Sequence, residues 1–340
     1  MKRNTSVNSA ACVPRRQAGA VTFLCALLAI ASGVAQAQGG VVISKQNPMQ
    51  LALLHWEQAD TLQLPVQNGP IGLAFDGNSM WISNSGSGTV SRVRVSDGAS
   101  LAVVNGGNQP GGGHPYGLAY DGANLWIADY LSQTVAKRRA SDGQFLASFP
   151  VGLNPMYEAY DGANIWVVNN GSSTVTKLRA SDGMNLGTFR VGFSPVAAAF
   201  DGTNIWVTNY GANTVTKLNA SSGTIVATFP VGRGPNGIAF DGANIWVANE
   251  NGYTVTELRA SDGMLQGAFA AGNRPFGVAY DGQYIWVANY GGNTVTKLTT
   301  AGVNLGTFAT GSGPTSVAFD GAHIWVANFN SGGSGTVSKF

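Results

Sequence analysis

The chain has 340 residues, of which 11% are charged and 47 are glycine, and its formal net charge is +2. Such a length could hold two or three domains. A net charge so close to zero does not indicate the electrostatic footprint of a nucleic-acid-binding protein, and we expect no nucleic-acid partner.

Residues 1–37 predict a secretory signal peptide. An apolar run from Ala18 to Ala31 is followed by Ala35-Gln36-Ala37, which is typical of a cleavage site. The basic residues before the run are Lys2, Arg3, Arg15 and Arg16. Because the run is too short for a membrane span, we expect an exported protein, in the periplasm, in the medium or on the cell surface. A twin-arginine signal at Arg15-Arg16 is the alternative, which the residues around that pair do not support.

Cleavage of this segment would change both the charge and the cysteine content. It would leave 15 Lys and Arg against 17 Asp and Glu, a net charge of −2. Both cysteines, Cys12 and Cys25, lie within the segment, so we expect an exported chain that does not depend on disulfides. We interpret residues 38–50 as a loose leader.

The rest of the chain, residues 51–340, repeats a unit of about 40 residues, of which residues 235–272 are the clearest example. Four short segments rich in β-branched and aromatic residues are separated by Gly, Asp or Asn, which is typical of antiparallel strands joined by tight turns. An Asp-Gly pair closes the first segment, and a Trp follows each pair. The pairs begin at Asp76, Asp121, Asp161, Asp201, Asp241, Asp281 and Asp320. We therefore predict an all-β, seven-bladed β-propeller of four-stranded antiparallel blades, with repeats near 70–114, 115–154, 155–194, 195–234, 235–274, 275–313 and 314–340.

The two ends of the repeat region indicate how the ring closes. The seventh unit stops at Phe340, after its third segment. Near the other end, Leu64-Pro65-Val66 precedes Gly69-Pro70 much as a fourth strand precedes the next unit elsewhere. We predict that residues 61–66 supply the fourth strand of the last blade, which would close the ring and leave a monomer.

The repeated aromatic residues are expected to form the core. The Trp, the Phe or Tyr before each Asp-Gly, and the Phe of the fourth strand should fill the spaces between blades. In the Asp-Gly turns, we expect Asp to accept backbone hydrogen bonds and Gly to adopt a left-handed conformation. A ring of calcium ligands is the alternative interpretation of these turns.

Sequence variation is concentrated on one face of the predicted ring. The loops that enter the first strand and join strands two and three share this face, which we call the loop face; the Asp-Gly turns lie on the opposite, turn face. The residues after the first-strand Pro and after the end of strand two are rich in aromatics, which suits contact with a sugar, a peptide or a protein. The candidate binding residues at this channel mouth are Tyr116, Tyr130, Met156, Glu158, Tyr210, Asn236, Phe276, Tyr290 and Phe329. The alternative is that these side chains only cover the end of the channel.

Further departures from the repeat are of chemical interest. Glu158 takes a first-strand position that is aliphatic in most units, where a carboxylate should be costly unless it is paired or solvated by channel water. Asp129 replaces the Asn that ends strand two in other units. Two insertions, at 105–113 and 331–334, are expected to lengthen loops on the loop face.

Several motifs carry a family resemblance. Ile285-Trp286-Val287-Ala288-Asn289, Asn293-Thr294-Val295 and Pro235-x-Gly237 resemble the YVTN-type bacterial propellers, and they are similar to NHL-repeat propellers and to the streptogramin B lyase family. The resemblance covers roughly residues 51–340 and implies the propeller fold. It says little about activity, because propellers host unrelated functions.

The resemblance to streptogramin B lyases implies an alternative function, a metal-dependent lyase. In that family a His follows the strand-one Pro, a Glu lies near the end of strand two, and magnesium is bound. Here no His occupies those positions; His114 precedes Pro115, and His323 falls in an Asp-Gly turn. General acid–base chemistry needs groups that converge on one site. We therefore predict a non-catalytic binding scaffold for protein or glycan partners, with no cofactor and no metal.

Overall fold

The computed structural model describes residues 62–107, 113–329 and 333–340, which form 28 β-strands in seven four-stranded antiparallel sheets. The predicted fold class is confirmed. Within the described residues, no helix is long and apolar enough to cross a membrane. The predicted signal peptide and leader lie outside the described residues.

Each sheet is one blade, and its strands follow one another outward from the channel. The first strands are β2 (Pro70–Phe75), β6 (Pro115–Tyr120), β10 (Pro155–Tyr160), β14 (Pro195–Phe200), β18 (Pro235–Phe240), β22 (Pro275–Tyr280) and β26 (Pro314–Phe319). The second strands are β3 (Ser79–Asn84), β7 (Asn124–Asp129), β11 (Asn164–Asn169), β15 (Asn204–Asn209), β19 (Asn244–Asn249), β23 (Tyr284–Asn289) and β27 (Ile324–Asn328). Each first strand contacts the first strands of both neighbouring blades, so the seven form a closed ring around the channel.

The third and fourth strands complete the blades. The third strands are β4 (Thr89–Arg94), β8 (Thr134–Arg139), β12 (Thr174–Arg179), β16 (Thr214–Asn219), β20 (Thr254–Arg259), β24 (Thr294–Thr299) and β28 (Thr336–Lys339). The fourth strands are β5 (Ser100–Asn105), β9 (Phe145–Pro150), β13 (Asn185–Arg190), β17 (Ile225–Pro230), β21 (Leu265–Ala270), β25 (Asn304–Ala309) and, for blade 7, β1 (Leu62–Pro65). Blades are numbered 1 to 7 from β2 to β26.

The ring closes as predicted. Strand β1 pairs antiparallel with β28, with Leu62 opposite Lys339 and Leu64 opposite Val337. Leu64 is buried in a cluster that includes Val337 of blade 7 and Ile82 of blade 1. The closing strand therefore fills space between the first and last blades as well as completing a sheet.

The hydrophobic core lies between blades. The indole of Trp126 in blade 2 packs with Ile165, Val167 and Leu178 of blade 3 and stacks on Phe149, with ring centroids 5.4 Å apart. The same arrangement recurs in the clusters around the ring, which confirms the predicted role of the aromatic residues. The tryptophans that the seven units share are all buried.

The Asp-Gly turns hold these indoles in place. In blade 3, Asp161 Oδ1 accepts hydrogen bonds from the backbone N–H groups of Ala163 and Asn164, and Gly162 has a φ of 95°. Its other oxygen, Oδ2, accepts a hydrogen bond of 2.7 Å from the indole Nε1 of Trp166. All seven turns repeat the indole bond. The repeated Asp is thus a structural anchor, as the backbone-capping interpretation predicted.

A β-bulge lies at the start of every first strand. In blade 3 the Cα pairing steps from Pro155 opposite Asn169 to Glu158 opposite Val167, so one extra residue is inserted between them. Irregularities at the corresponding position occur in the other six blades. Bulges bend a strand and re-aim side chains, and here they lie where the first strands enter from the loop face.

Candidate functional site

The channel mouth is built from two backbone segments in each blade. The N–H of the residue after strand two donates to the carbonyl of the residue before the first-strand Pro, as between Glu250 and Gly234 at 2.8 Å and between Tyr290 and Arg274 at 2.8 Å. This bond recurs in all seven blades. It brings the residue after the first-strand Pro close to the residue after strand two. The two positions that vary in the sequence of each blade are therefore neighbours at the mouth.

Two of these pairs are aromatic. Tyr116 and Tyr130 of blade 2 stack with ring centroids 5.1 Å apart. Phe276 and Tyr290 of blade 6 lie 5.9 Å apart. All four side chains are partly exposed, so their rings are accessible at the mouth.

The pair in blade 5 is polar and is extended by a residue that the sequence analysis missed. Asn236 Nδ2 donates to Glu250 Oε2 at 3.3 Å, and Arg274 Nε donates to Glu250 Oε1 at 3.0 Å. The guanidinium also lies over the ring of Tyr290, 4.9 Å from its centroid. Arg274 occupies the position before the first-strand Pro, where three other blades have Gly, and it has a φ of 54°. Its charged side chain, at a position that is Gly in three other blades, could have identified it from the sequence.

The remaining predicted mouth residues lie around this polar pair. In blade 4, the Tyr210 hydroxyl accepts a hydrogen bond of 2.9 Å from Asn251. Met156 of blade 3 and Phe329 of blade 7 are partly exposed at the corresponding positions. Blades 4, 5 and 6 thus carry a continuous group of Tyr210, Glu250, Arg274 and Tyr290, which we call the mouth crescent.

Hydrogen bonds between blades fix Asn236, which donates to Glu250 of this crescent. Thr208 Oγ1 donates to the backbone carbonyl of Asn236 in the next blade at 2.8 Å. The same oxygen accepts the N–H of Ala197 in its own blade at 3.0 Å. The position of Asn236 is therefore set by two neighbouring blades rather than by a free loop.

Glu158 lies deeper, in the channel itself. A cavity of about 170 Å³ is lined by the first strands, including Leu73, Leu118 and Glu158. Glu158 is only 9% exposed, and neither carboxylate oxygen accepts a hydrogen bond of ordinary geometry from the described residues, although the backbone N–H of Ala128 interacts with it weakly. Burial raises the pKa of its carboxyl well above the ordinary 4.5. Tyr157, which the sequence analysis missed, lines the same cavity, and burial raises the pKa of its hydroxyl.

Asp129 has a local structural role. Its Oδ1 accepts the N–H of His114 at 3.0 Å, and its Oδ2 accepts the hydroxyl of Ser132 at 2.6 Å. The carboxylate is fully buried. These bonds hold the two loops of blade 2 together, as the Asn at this position does in blade 3 by accepting the N–H of Gly152.

The residues present do not fit a magnesium ion. Within residues 62–107, 113–329 and 333–340, no group of three or more His, Cys, Asp or Glu side chains could hold a metal. The three carboxylates near the mouth are separate: Glu250 is bound by Arg274, Asp129 is bound within its loops, and Glu158 stands in a largely aliphatic ring. Magnesium needs several oxygen ligands in a near-octahedral arrangement.

The two insertions are only partly described. Residues 108–112 and 330–332 lie outside the described residues, so their place on the loop face stays a prediction. Strand β5 before the first insertion and strand β28 after the second are in their expected blades.

Comparison with known proteins identifies solved structures that have a similar fold. The chain is similar to the crystal structure of virginiamycin B lyase from Staphylococcus aureus, with 18% identity, a TM-score of 0.70, and coverage of 82% of this chain and 98% of that one. A streptogramin B lyase structure gives 18% identity and a TM-score of 0.68, over 82% of this chain and 95% of that one. Kuenenia stuttgartiensis hydrazine synthase gives 19% identity and a TM-score of 0.69, over 83% of this chain and 98% of that one.

These likenesses confirm, at the level of the fold, the predicted resemblance to streptogramin B lyase-type propellers. At under a fifth identity they do not extend to activity, and the neighbours themselves are a lyase and a hydrazine synthase. No protein-family model and no curated protein matches the chain.

Proposed function

We propose that this chain is an exported, monomeric, non-catalytic β-propeller that binds a protein or glycan partner at the mouth of its channel. The observation that carries the proposal is the mouth crescent. It combines partly exposed aromatic rings at Tyr210 and Tyr290 with an ion pair between Glu250 and Arg274. Aromatic rings with polar groups beside them are the usual composition of recognition surfaces.

The support under the crescent favours binding. Three of its residues, Tyr210, Glu250 and Tyr290, directly follow second strands and make the backbone hydrogen bond that recurs in every blade. Arg274 is bound by Glu250 and packs on the ring of Tyr290. Side chains that are fixed before a ligand arrives lose less conformational entropy on binding.

The metal-dependent lyase, the alternative from the sequence, is not the function we propose. The His that the lyase resemblance implies is missing from the positions after the first-strand Pro. Glu250 follows strand two of blade 5, but Arg274 binds it, and the carboxylates of the described residues do not converge on one site. The exported location and the monomeric state are part of our proposal, on the strength of the predicted signal peptide and the closed ring.

The test uses the mature protein against arrays of bacterial envelope glycans and against immobilised envelope proteins. Tyr210→Ala and Phe276→Ala should each reduce binding while the melting temperature changes little. Phe145→Ala is the matched control, because Phe145 is an aromatic residue that is 41% exposed and begins the fourth strand β9, next to the Asp142-Gly143 turn on the opposite, turn face. Binding that survives in both mouth variants would overturn the proposal, and the array that responds would identify the class of partner.

A further inference from the structure

Two departures from the internal repeat stand side by side in strand β10. Its third residue is Tyr157, where the other blades have Gly, Ala or Ser. Its fourth is Glu158, where the other blades have Leu, Ile, Val or Ala. Both side chains line the axial cavity. The other six blades fold with small or aliphatic residues at these two positions. The fold therefore does not require the Tyr and Glu of blade 3.

The cavity offers Glu158 no counter-ion. Its lining residues include no Lys, Arg or His, and the polar ones beside Tyr157 and Glu158 are Asn236, Thr315 and Ser316. The carboxyl is nine-tenths buried, and neither of its oxygens accepts a hydrogen bond of ordinary geometry. The backbone N–H of Ala128 offsets only part of the effect of burial on the pKa of this carboxyl. A buried carboxylate without a partner is unfavourable, and a cation brought in from solution would remove that cost.

The rest of the wall is mixed, because aliphatic side chains share it with these polar residues. Leu73, Leu118, Ile238, Val278 and Val317 line the cavity at the positions that correspond to Glu158 in other first strands. A wall that combines aliphatic side chains with one carboxyl and two aromatic rings, Tyr157 and Phe276, matches an organic cation, whose charge meets the carboxylate and a ring while its carbon atoms meet the aliphatic side chains. Calcium and magnesium ions are a poor match, because they need six or more oxygen ligands.

We propose that the axial cavity binds a small alkylammonium ion, with Glu158 as its counter-ion and Tyr157 as an aromatic wall. The volume of about 170 Å³ suits a short alkyl chain and excludes a polymer. This site is distinct from the mouth crescent, although Asn236 and Phe276 belong to both the cavity lining and the mouth positions. The proposal does not rest on the function proposed above.

The experiment is isothermal titration calorimetry on the mature protein at mildly alkaline pH and constant chloride. The probes are n-butylammonium, tetramethylammonium and, as the neutral match, 1-butanol. We expect saturable binding of at least one ammonium ion and none of the alcohol. Glu158→Gln should weaken that binding by about tenfold or more, because the charge-assisted contact is lost. Tyr157→Gly, which copies blade 2, should weaken it less.

Matched controls separate this site from the mouth and from general charge effects. Glu257 is also buried, but it lies in third strand β20, so Glu257→Gln should bind like the wild type. Tyr210→Ala should also bind like the wild type, because Tyr210 does not line the cavity. If Glu158→Gln does not fold, Glu158→Leu, which copies Leu118, takes its place.

Three results would each overturn the proposal: no saturable heat from either ammonium ion at millimolar concentration, equal affinity in wild type and Glu158 variants, or equal binding of 1-butanol. The first would mean that the cavity takes up only water. None of the three would bear on the mouth, whose binding is measured with a different set of ligands and variants.

Discussion

Glu250 of blade 5 is bound by Arg274, which precedes the first strand of blade 6. The carboxylate side chain is 5% exposed, whereas the guanidinium side chain is 47% exposed. The hydrogen bond from Arg274 to Glu250 raises the pKa of the guanidinium above its ordinary value. The ion pair thus joins two blades at the mouth and holds Arg274 over the ring of Tyr290.

Arg274→Ala should destabilise the fold, because it leaves the buried Glu250 carboxylate with only the amide of Asn236. A buried group that loses its partner costs about 1–3 kcal/mol. Denaturant unfolding measures the loss. Arg233→Ala is the control: Arg233 is exposed and lies in the loop that enters blade 5, one position earlier than Arg274 does in blade 6, so its change should stay within about 0.5 kcal/mol. Equal effects of the two substitutions would show that the ion pair contributes nothing.

Glu158→Leu should stabilise the protein. It replaces a buried carboxyl that accepts no hydrogen bond of ordinary geometry by the side chain that blade 2 has at this position, for a gain of about 1–3 kcal/mol near neutral pH. Urea unfolding of the two proteins gives the difference. A loss of stability would mean that Glu158 already has a partner in the free protein, such as ordered channel water.

The same carboxyl should make stability depend on pH. Because burial raises the pKa of Glu158 in the folded state, the folded protein holds its proton where the unfolded chain has released it. Stability should therefore fall as pH rises above 4.5, the ordinary value, and should level off above the folded-state pKa. The decline should be absent in Glu158→Leu, as melting temperatures across this range would show. Two titratable groups lie near the carboxyl. Burial, Tyr116 and Glu158 raise the pKa of Tyr157, and burial and Tyr130 raise the pKa of Tyr116.

The Asp-Gly anchors should produce the opposite dependence at lower pH. Burial alone would raise the pKa of Asp161, but hydrogen bonds from Trp166, Asn164 and backbone amides outweigh it and hold the pKa below 3.8. Asp121, Asp201 and Asp320 show the same net lowering. Their stabilisation is complete above the ordinary value and is lost as pH falls through the folded-state values. Acid titration followed by tryptophan fluorescence should show this loss.

Removal of one anchor tests its size. Asp161→Ala should cost about 1–3 kcal/mol, because the buried indole N–H of Trp166 is left without its acceptor. The control is Asp182→Ala, in an exposed turn of the same blade, where the carboxylate pairs with Arg179 in solvent. We expect a much smaller change there. A comparable loss from both would assign the effect to turns in general rather than to the indole bond.

The closing strand supplies a further prediction. Leu64→Ala should destabilise the protein by about 2–5 kcal/mol, because Leu64 is 8% exposed and packs between the first and last blades. Leu62→Ala, at a position that is 45% exposed in the same strand, should have little effect. Differential scanning calorimetry of both variants tests whether closure depends on this one buried side chain.

The fold could be predicted well because the same turn and strand residues recur in seven units. The Asp-Gly turns, the buried tryptophans and the closing segment at residues 61–66 each have a repeated counterpart that gives their place in a blade. The site was harder to predict. Comparison of the units identified Glu158 as a departure and the position after strand two, which Glu250 takes in blade 5, as variable. It did not show that Arg274 of the next blade binds Glu250, because that contact joins residues of two repeats.

Tyr157 illustrates a second limit. The bulge at the start of each first strand inserts one residue, so simple alternation along strand β10 does not give the side on which Tyr157 lies. Its departure from Gly, Ala and Ser was visible in the sequence, whereas its place in the cavity beside Glu158 needed the backbone.

Because β1 pairs with β28, the ring can close only after the last described strand has been synthesised. Strand β1 is made before every other described strand, but its partner is made after all the others. During translation, six blades can form while β1 and the incomplete seventh blade remain unpaired. Such long-range pairing is slow, and exposed strand edges favour aggregation. The growing chain is therefore most vulnerable just before β28 emerges, when a chaperone that covers β1 would protect it best.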